Sequence, residues 1–170
     1  MKATADNAAP IVENTAEWQA EVERLAQKTT PSFFHIRCPL PEAGRTNQVL
    51  AASKMMSVVL KTYAEGGENE LHAHINEDHC FVILQGKALF YGPNGETREV
   101  GRNDCVLLPR GSLYWFRAEG GEPLVMLRIG AAAEDETDVL ARVGADQLPL
   151  DGFSEANKEV PLVLGERWYE

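Results

Sequence analysis

The spacing of apolar positions changes along the chain. Trp18, Val22 and Leu25 recur at helical intervals, and Asn14 with Glu17 three residues later forms a capping pair. This predicts a helix running to about Lys28 and stopped by Pro31. The next segment carries Phe33, Phe34 and His35 and is broken by Pro39 and Pro41, so no regular element is expected there. From about Val49 the period shortens. Apolar, β-branched runs at 55–63, 71–74, 79–84, 88–91, 97–100, 104–108, 113–118 and 124–129 alternate with turns. Among the turns are Gly66-Gly67, Gly92-Pro93-Asn94-Gly95, Pro109-Arg110-Gly111 and Gly120-Gly121. Many short strands at even spacing predict an all-β fold, an antiparallel sandwich or barrel.

After Gly130 the strands are expected to stop. A short helix fits 137–143. The tail from Gly144 mixes Pro, Gly and acidic residues with Leu148, Phe153, Leu162 and Trp168, and is expected to pack on the barrel or on a neighbouring subunit. A length of 170 residues fits one domain, with a barrel core at about 48–130, an N-terminal extension 1–47 and a C-terminal tail 131–170.

Charge narrows the partners. The formal net charge of −10 works against a phosphate backbone or an anionic membrane surface. No apolar run reaches the length of a membrane span, and the N-terminus holds no apolar signal core, so a cytoplasmic location is expected. Cys38, Cys80 and Cys105 are scattered and odd in number. They read as buried or half-buried thiols in a reducing compartment.

The chemistry concentrates at three histidines. Residues two apart on a strand share a face, so His72 and His74 project together. The polar turn Ile75-Asn76-Glu77-Asp78 can return the chain so that His79 opens the next strand on the same interior. Three converging imidazoles point to one divalent transition metal, because each buried group left without a partner costs about 1–3 kcal/mol; the alternative is a decayed site whose histidines pair with side chains and water. Imidazole is accepted by Fe(II), Zn, Ni, Mn and Cu, with Fe(II) or Zn favoured. The same alternation sends Phe81, Ile83 and Phe116 inward and Cys80, Val82 and Trp115 outward. The inward residues either line a pocket for a small, oxygen-bearing organic substrate or are plain core. His35 either reaches that pocket or packs as a structural histidine.

These residues resemble the first motif of the cupin superfamily. Gly66 is followed after five residues by His72-Ala73-His74, after four more by His79, and after six more by Gly86. His79 stands where the family usually has a glutamate ligand. The second motif is matched in part. Pro109-Arg110-Gly111 is in place, Asn103 holds the leading glycine position, Tyr114 that of a histidine ligand, and Ala118 that of the closing asparagine. The resemblance spans roughly residues 55–130.

It implies a cupin-type jelly-roll barrel, here with an N-terminal helix and a C-terminal extension, an interior metal held by His72, His74 and His79, and a homodimer. Tyr114 is open to three roles: ligation as phenolate, orienting a substrate or moving its proton, and filling space. The implied activity is that of a metal-dependent dioxygenase or lyase acting on a small oxygen-bearing organic molecule, aromatic or diketone-like. A non-catalytic ligand-binding cupin and a metal-assisted isomerase or cyclase are the alternatives.

Overall fold

The structure, a computed structural model, describes residues 8–64, 70–133, 135–136, 138–154 and 160–170. The expected helix is present as α1 (Thr15–Ala26). Asn14 caps it by accepting the Glu17 N–H at 2.9 Å, and Glu17 reaches back to the Glu13 N–H at 2.8 Å. Its one buried residue is Trp18.

Among the described residues twelve strands follow. They are β1 (Cys38–Ala43), β2 (Arg45–Ala52), β3 (Met56–Tyr63), β4 (His72–His74), β5 (Asp78–Gln85), β6 (Lys87–Tyr91), β7 (Thr97–Gly101), β8 (Cys105–Leu108), β9 (Trp115–Glu119), β10 (Leu124–Ala131), β11 (Arg142–Gly144) and β12 (Val163–Tyr169). One face of the jelly roll is the five-stranded sheet β2-β3-β10-β5-β8. The other consists of β7-β6-β9 and the pair β11-β4. A two-way backbone bridge between His72 and Tyr114 (3.1 and 2.9 Å) joins these pieces into one continuous layer.

Side chains alternate as a half-buried sheet requires. Tyr63, Phe81, Ile83, Phe90, Phe116, Leu124 and Met126 fill the space between the layers. The other face of the five-stranded sheet packs Leu60 and Val125 against Leu40 and Leu50. Trp18 joins Val12, Val49 and Val59 in a third cluster, which seats α1 along β2.

Three expectations change. The proline-broken segment forms β1, paired at the edge with β12: Pro39 faces Trp168, Pro41 faces Leu164, and the register shifts on both sides of Pro41. An edge pair tolerates the missing N–H groups that a central strand would not. The helix expected at 137–143 is absent. Val139 and Leu140 form a turn and the chain enters β11, while Thr137 lies outside the described residues, as do Gly66 and Gly67. Cys105 is exposed rather than buried.

The motif punctuation has a physical basis. Gly86 sits at φ 72°, and a Cβ there would come 2.9 Å from the Pro123 carbonyl oxygen. Asn103 takes φ 74°, the left-handed conformation that asparagine tolerates better than other side chains, and so serves where the family has glycine.

Candidate functional site

The short strand β4 turns His72 and His74 into the barrel, and both are buried. Their rings are 5.2 Å apart, centroid to centroid. The chain then turns at the surface, and β5 brings His79 back so that its ring lies 4.0 Å from that of His74. The Pro109-Arg110-Gly111 turn fastens this loop. The Gly111 N–H donates to the His74 carbonyl at 2.7 Å and the Arg110 N–H to Asp78 at 2.7 Å. Asp78 is thereby committed to the rim.

Tyr114 is buried, with its ring 4.7 Å from His72 and 6.0 Å from Phe81. Phe81 also lies 6.0 Å from the His79 ring and so borders the site. Ile83 and Phe116 sit deeper, inside the packed aromatic cluster, as core. His35 is exposed in the irregular segment ahead of β1, and the structure does not bring it to the barrel interior.

Four residues that the sequence reading passed over share this interior. Glu77 is buried beside His79, and its carboxylate occupies space that only Gly130 leaves free, since a Cβ on Gly130 would fall 2.7 Å from it. Arg128, also buried, pairs with Glu77 and donates through Nε to His79 Nε2 at 3.1 Å. Its Nη1 points to Ser57 Oγ at 3.3 Å. Lys61 is buried with its ammonium 5.6 Å from the ring centres of both Trp18 and Tyr63. Arg142 stands opposite His74 in the β11–β4 pair, its guanidinium packed where Gly152 has no side chain. Arg128 and Lys61 each interrupt an apolar run, at inward-facing positions of β10 and β3. That lone cation in an apolar strand was the available signal.

Burial sets the protonation states. It pushes His72 down to about 3, reinforced by Arg142. His74 and His79 are lowered by burial and then by the charges around them, His79 on His74 and Arg128 on His79. Burial raises Glu77 against the pull of Arg128, and it raises Tyr114. Lys61 is lowered by burial and by Arg45, Arg128 and Arg142. At neutral pH the three imidazoles are therefore neutral and Tyr114 keeps its proton.

A three-imidazole metal centre fits at two of its three positions. His72 is prepared as metal-bound histidines are: its Nδ1 donates to the Glu70 carbonyl at 2.6 Å, leaving the Nε2 lone pair facing inward. His74 lies beside it with a buried, unpartnered Nδ1. His79 does not fit. Its Nε2 is engaged by Glu77 Oε2 at 2.9 Å and by Arg128 Nε and Nη2 at 3.1 and 2.6 Å, so that nitrogen is already taken up by the buried pair. Its Nδ1 is buried without a hydrogen-bond partner. Among the described residues no three His, Cys, Asp or Glu side chains are arranged around one ion.

The fold and site define a double-layered β-barrel with a polar cluster in its interior. Residues 59–130 match the Cupin_2 family of cupin domains, and the barrel they form has the cupin fold. The uncharacterized protein YdbB of Bacillus subtilis is 33% identical over 52 residues, which are 31% of this chain and 46% of that protein. The chain thus spans about half the length of this curated relative. Among solved structures, the polyketide cyclase RemF from Streptomyces resistomycificus superposes with a TM-score of 0.51 at 20% identity, covering 61% of this chain and 81% of that one. A conserved protein of unknown function from Streptococcus pyogenes superposes with 0.50 at 16% identity, covering 62% and 98%. These likenesses are of fold.

Proposed function

We propose that this cupin is an enzyme of the lyase, isomerase or cyclase type, acting on a small oxygen-bearing organic molecule held in the barrel interior. One observation carries it: His72 is fixed by the Glu70 carbonyl with its Nε2 lone pair inward, beside a protonated Tyr114 whose ring is 4.7 Å away. A proton acceptor and a proton donor side by side are what removal of a proton next to a carbonyl requires. His72 takes the proton from carbon, and the Tyr114 hydroxyl donates to the developing oxyanion. Such positioned proton transfer contributes roughly 10²–10⁴-fold to rate. Trp18 covers the interior from α1.

In the second reading Fe(II) or Zn sits on His72, His74 and His79 and supports dioxygenase or lyase chemistry. The oriented Nε2 of His72 favours it, and it requires His79 to exchange Arg128 for the ion. A homodimer in the cytoplasm belongs to both readings, and light scattering reads the stoichiometry directly. Among the described residues no helix is long and apolar enough to cross a membrane.

The test is a turnover screen by NMR with enolisable diketones, hydroxy acids and hydroxylated aromatics, using protein purified without a histidine tag and assayed with and without chelator. We expect turnover that survives chelation, consumes no dioxygen and falls at least about 100-fold in Tyr114→Phe. Loss of activity with chelator and recovery on adding Fe(II) or Zn would move the assignment to the metal reading.

A further inference from the structure

The barrel interior carries charge opposite to that of the molecule around it. The chain has a net charge of −10. Yet Lys61 and Arg128 are buried inside it, and Arg142 enters alongside His74. Against these cations the described interior offers one carboxylate, Glu77, and Arg128 takes it. Among the described residues Lys61 and Arg142 have no ion-pair partner. The ammonium of Lys61 meets the faces of Trp18 and Tyr63. The Nη1 of Arg142 is buried with no hydrogen-bond acceptor. The imidazoles, neutral, add no negative charge.

Removing cations from water without a counter-charge is costly. Lys61 meets that cost with a proton affinity lowered by burial and by Arg45, Arg128 and Arg142, whereas the Arg142 guanidinium cannot give up its proton, so the uncompensated charge is that of Arg142. A small anion beside Arg142 would supply the missing counter-charge. Arg142 is suited to it, because a guanidinium can grip a planar carboxylate through two parallel N–H groups. The side chain is delivered by the C-terminal extension, where Gly152 makes room for it.

We propose that the substrate of this site is a small carboxylate, anchored by Arg142 and Lys61 so that its reacting carbon faces His72 and Tyr114. The proposal rests on the barrel interior being the ligand site, and it adds the chemical class of the ligand.

The experiment uses thermal unfolding of the full chain with benzoate, pyruvate and oxalate at about 10 mM, with benzamide as the neutral isostere and chloride at matched ionic strength. We expect at least one carboxylate to raise Tm by about 3 °C or more while benzamide and chloride do not. The shift disappears in Arg142→Gln and in Lys61→Met. A second measurement needs no ligand: Lys61→Met, which removes a buried amine without an ion-pair partner among the described residues and keeps the stem, leaves the ligand-free Tm unchanged or higher. A lower ligand-free Tm in Lys61→Met overturns the proposal, because the ammonium is then structural. Equal stabilisation by benzamide and benzoate overturns the carboxylate assignment while leaving the interior as a ligand site. A carboxylate shift that persists in both variants places the anion elsewhere and overturns it as well.

Discussion

Replacing Glu77 by glutamine removes one negative charge from the barrel and little volume. Glu77 and Arg128 are each only 2% exposed, so neither charge is relieved by solvent. Breaking a buried pair from one side typically costs about 3–5 kcal/mol, because the partner charge remains buried. The glutamine amide oxygen still accepts from Arg128, which places Glu77→Gln near about 3 kcal/mol. For a chain of 170 residues that corresponds to a Tm loss of roughly 6–12 °C. The converse change, Arg128→Met, should cost less. Burial already pushes the Glu77 carboxyl upward, and once the guanidinium is gone the acid can take up a proton and become neutral. A guanidinium has no such escape. Combining the two substitutions removes both charges, and the double variant should recover at least about 1 kcal/mol relative to the sum of the singles. Urea unfolding followed by circular dichroism, with free energies compared at equal m, measures all three. A cost below about 1 kcal/mol for Glu77→Gln, or additivity within about 0.5 kcal/mol, would refute the buried pair.

Other consequences are open to the same kind of measurement. Phe81 is buried against Phe90, Tyr114 and Phe116, each with its ring centre 6.0 Å away, so Phe81→Ala should cost about 3–5 kcal/mol in chemical denaturation. In Gly130→Ala the new methyl meets the Glu77 carboxylate at 2.7 Å. We expect a loss of about 1–3 kcal/mol, largely relieved when Glu77 is also alanine, and a loss that persists in that background would rule out the contact as its cause. Stability should fall as pH drops below about 6.5. His72 is held down to about 3 when folded but titrates near its usual value of 6.5 when unfolded. Protons therefore favour the unfolded chain throughout that interval, and His74 and His79 act in the same sense. Each group removes up to about 1.4 kcal/mol per pH unit, whereas the contribution above 6.5 is flat. A Tm that does not change between pH 7 and 5 would contradict neutral, buried imidazoles.

Much of the barrel was legible because its signals are local. Alternation with glycine- and proline-marked turns located eight strands from β3 to β10, because each buries one face and the turns need particular backbone conformations. The edge pair β1–β12 was not legible. Its proline-rich strand reads as irregular until a partner more than a hundred residues away supplies the pairing. The short strand β11 was missed for the same reason, since it exists by pairing with β4. At the site, His72 and His74 were readable from their spacing, and His79 from its place at the start of the next strand. What His79 touches was not readable, because Arg128 reaches it across β10 from 49 positions further along the chain.

That long-range contact changes what the histidine cluster means. Spacing alone treats three imidazoles as three equal donors. The fold makes them unequal. His72 is oriented by a backbone carbonyl and faces Tyr114, His74 stands between, and His79 is joined with Glu77 and Arg128 into a buried pairing of charge. Such a cluster rigidifies the wall opposite Tyr114, since each polar atom that Arg128 satisfies fixes another side chain in place. The two remaining cations arrive from outside the shared motifs, Lys61 from the middle of β3 under α1 and Arg142 from the C-terminal extension. On the proposed reading, His72 and Tyr114 supply the proton-transfer geometry, and Lys61 and Arg142 supply the charge that selects what enters. Substitutions at Lys61 or Arg142 should then alter which molecules bind, and substitutions at His72 or Tyr114 should alter what happens to them once bound.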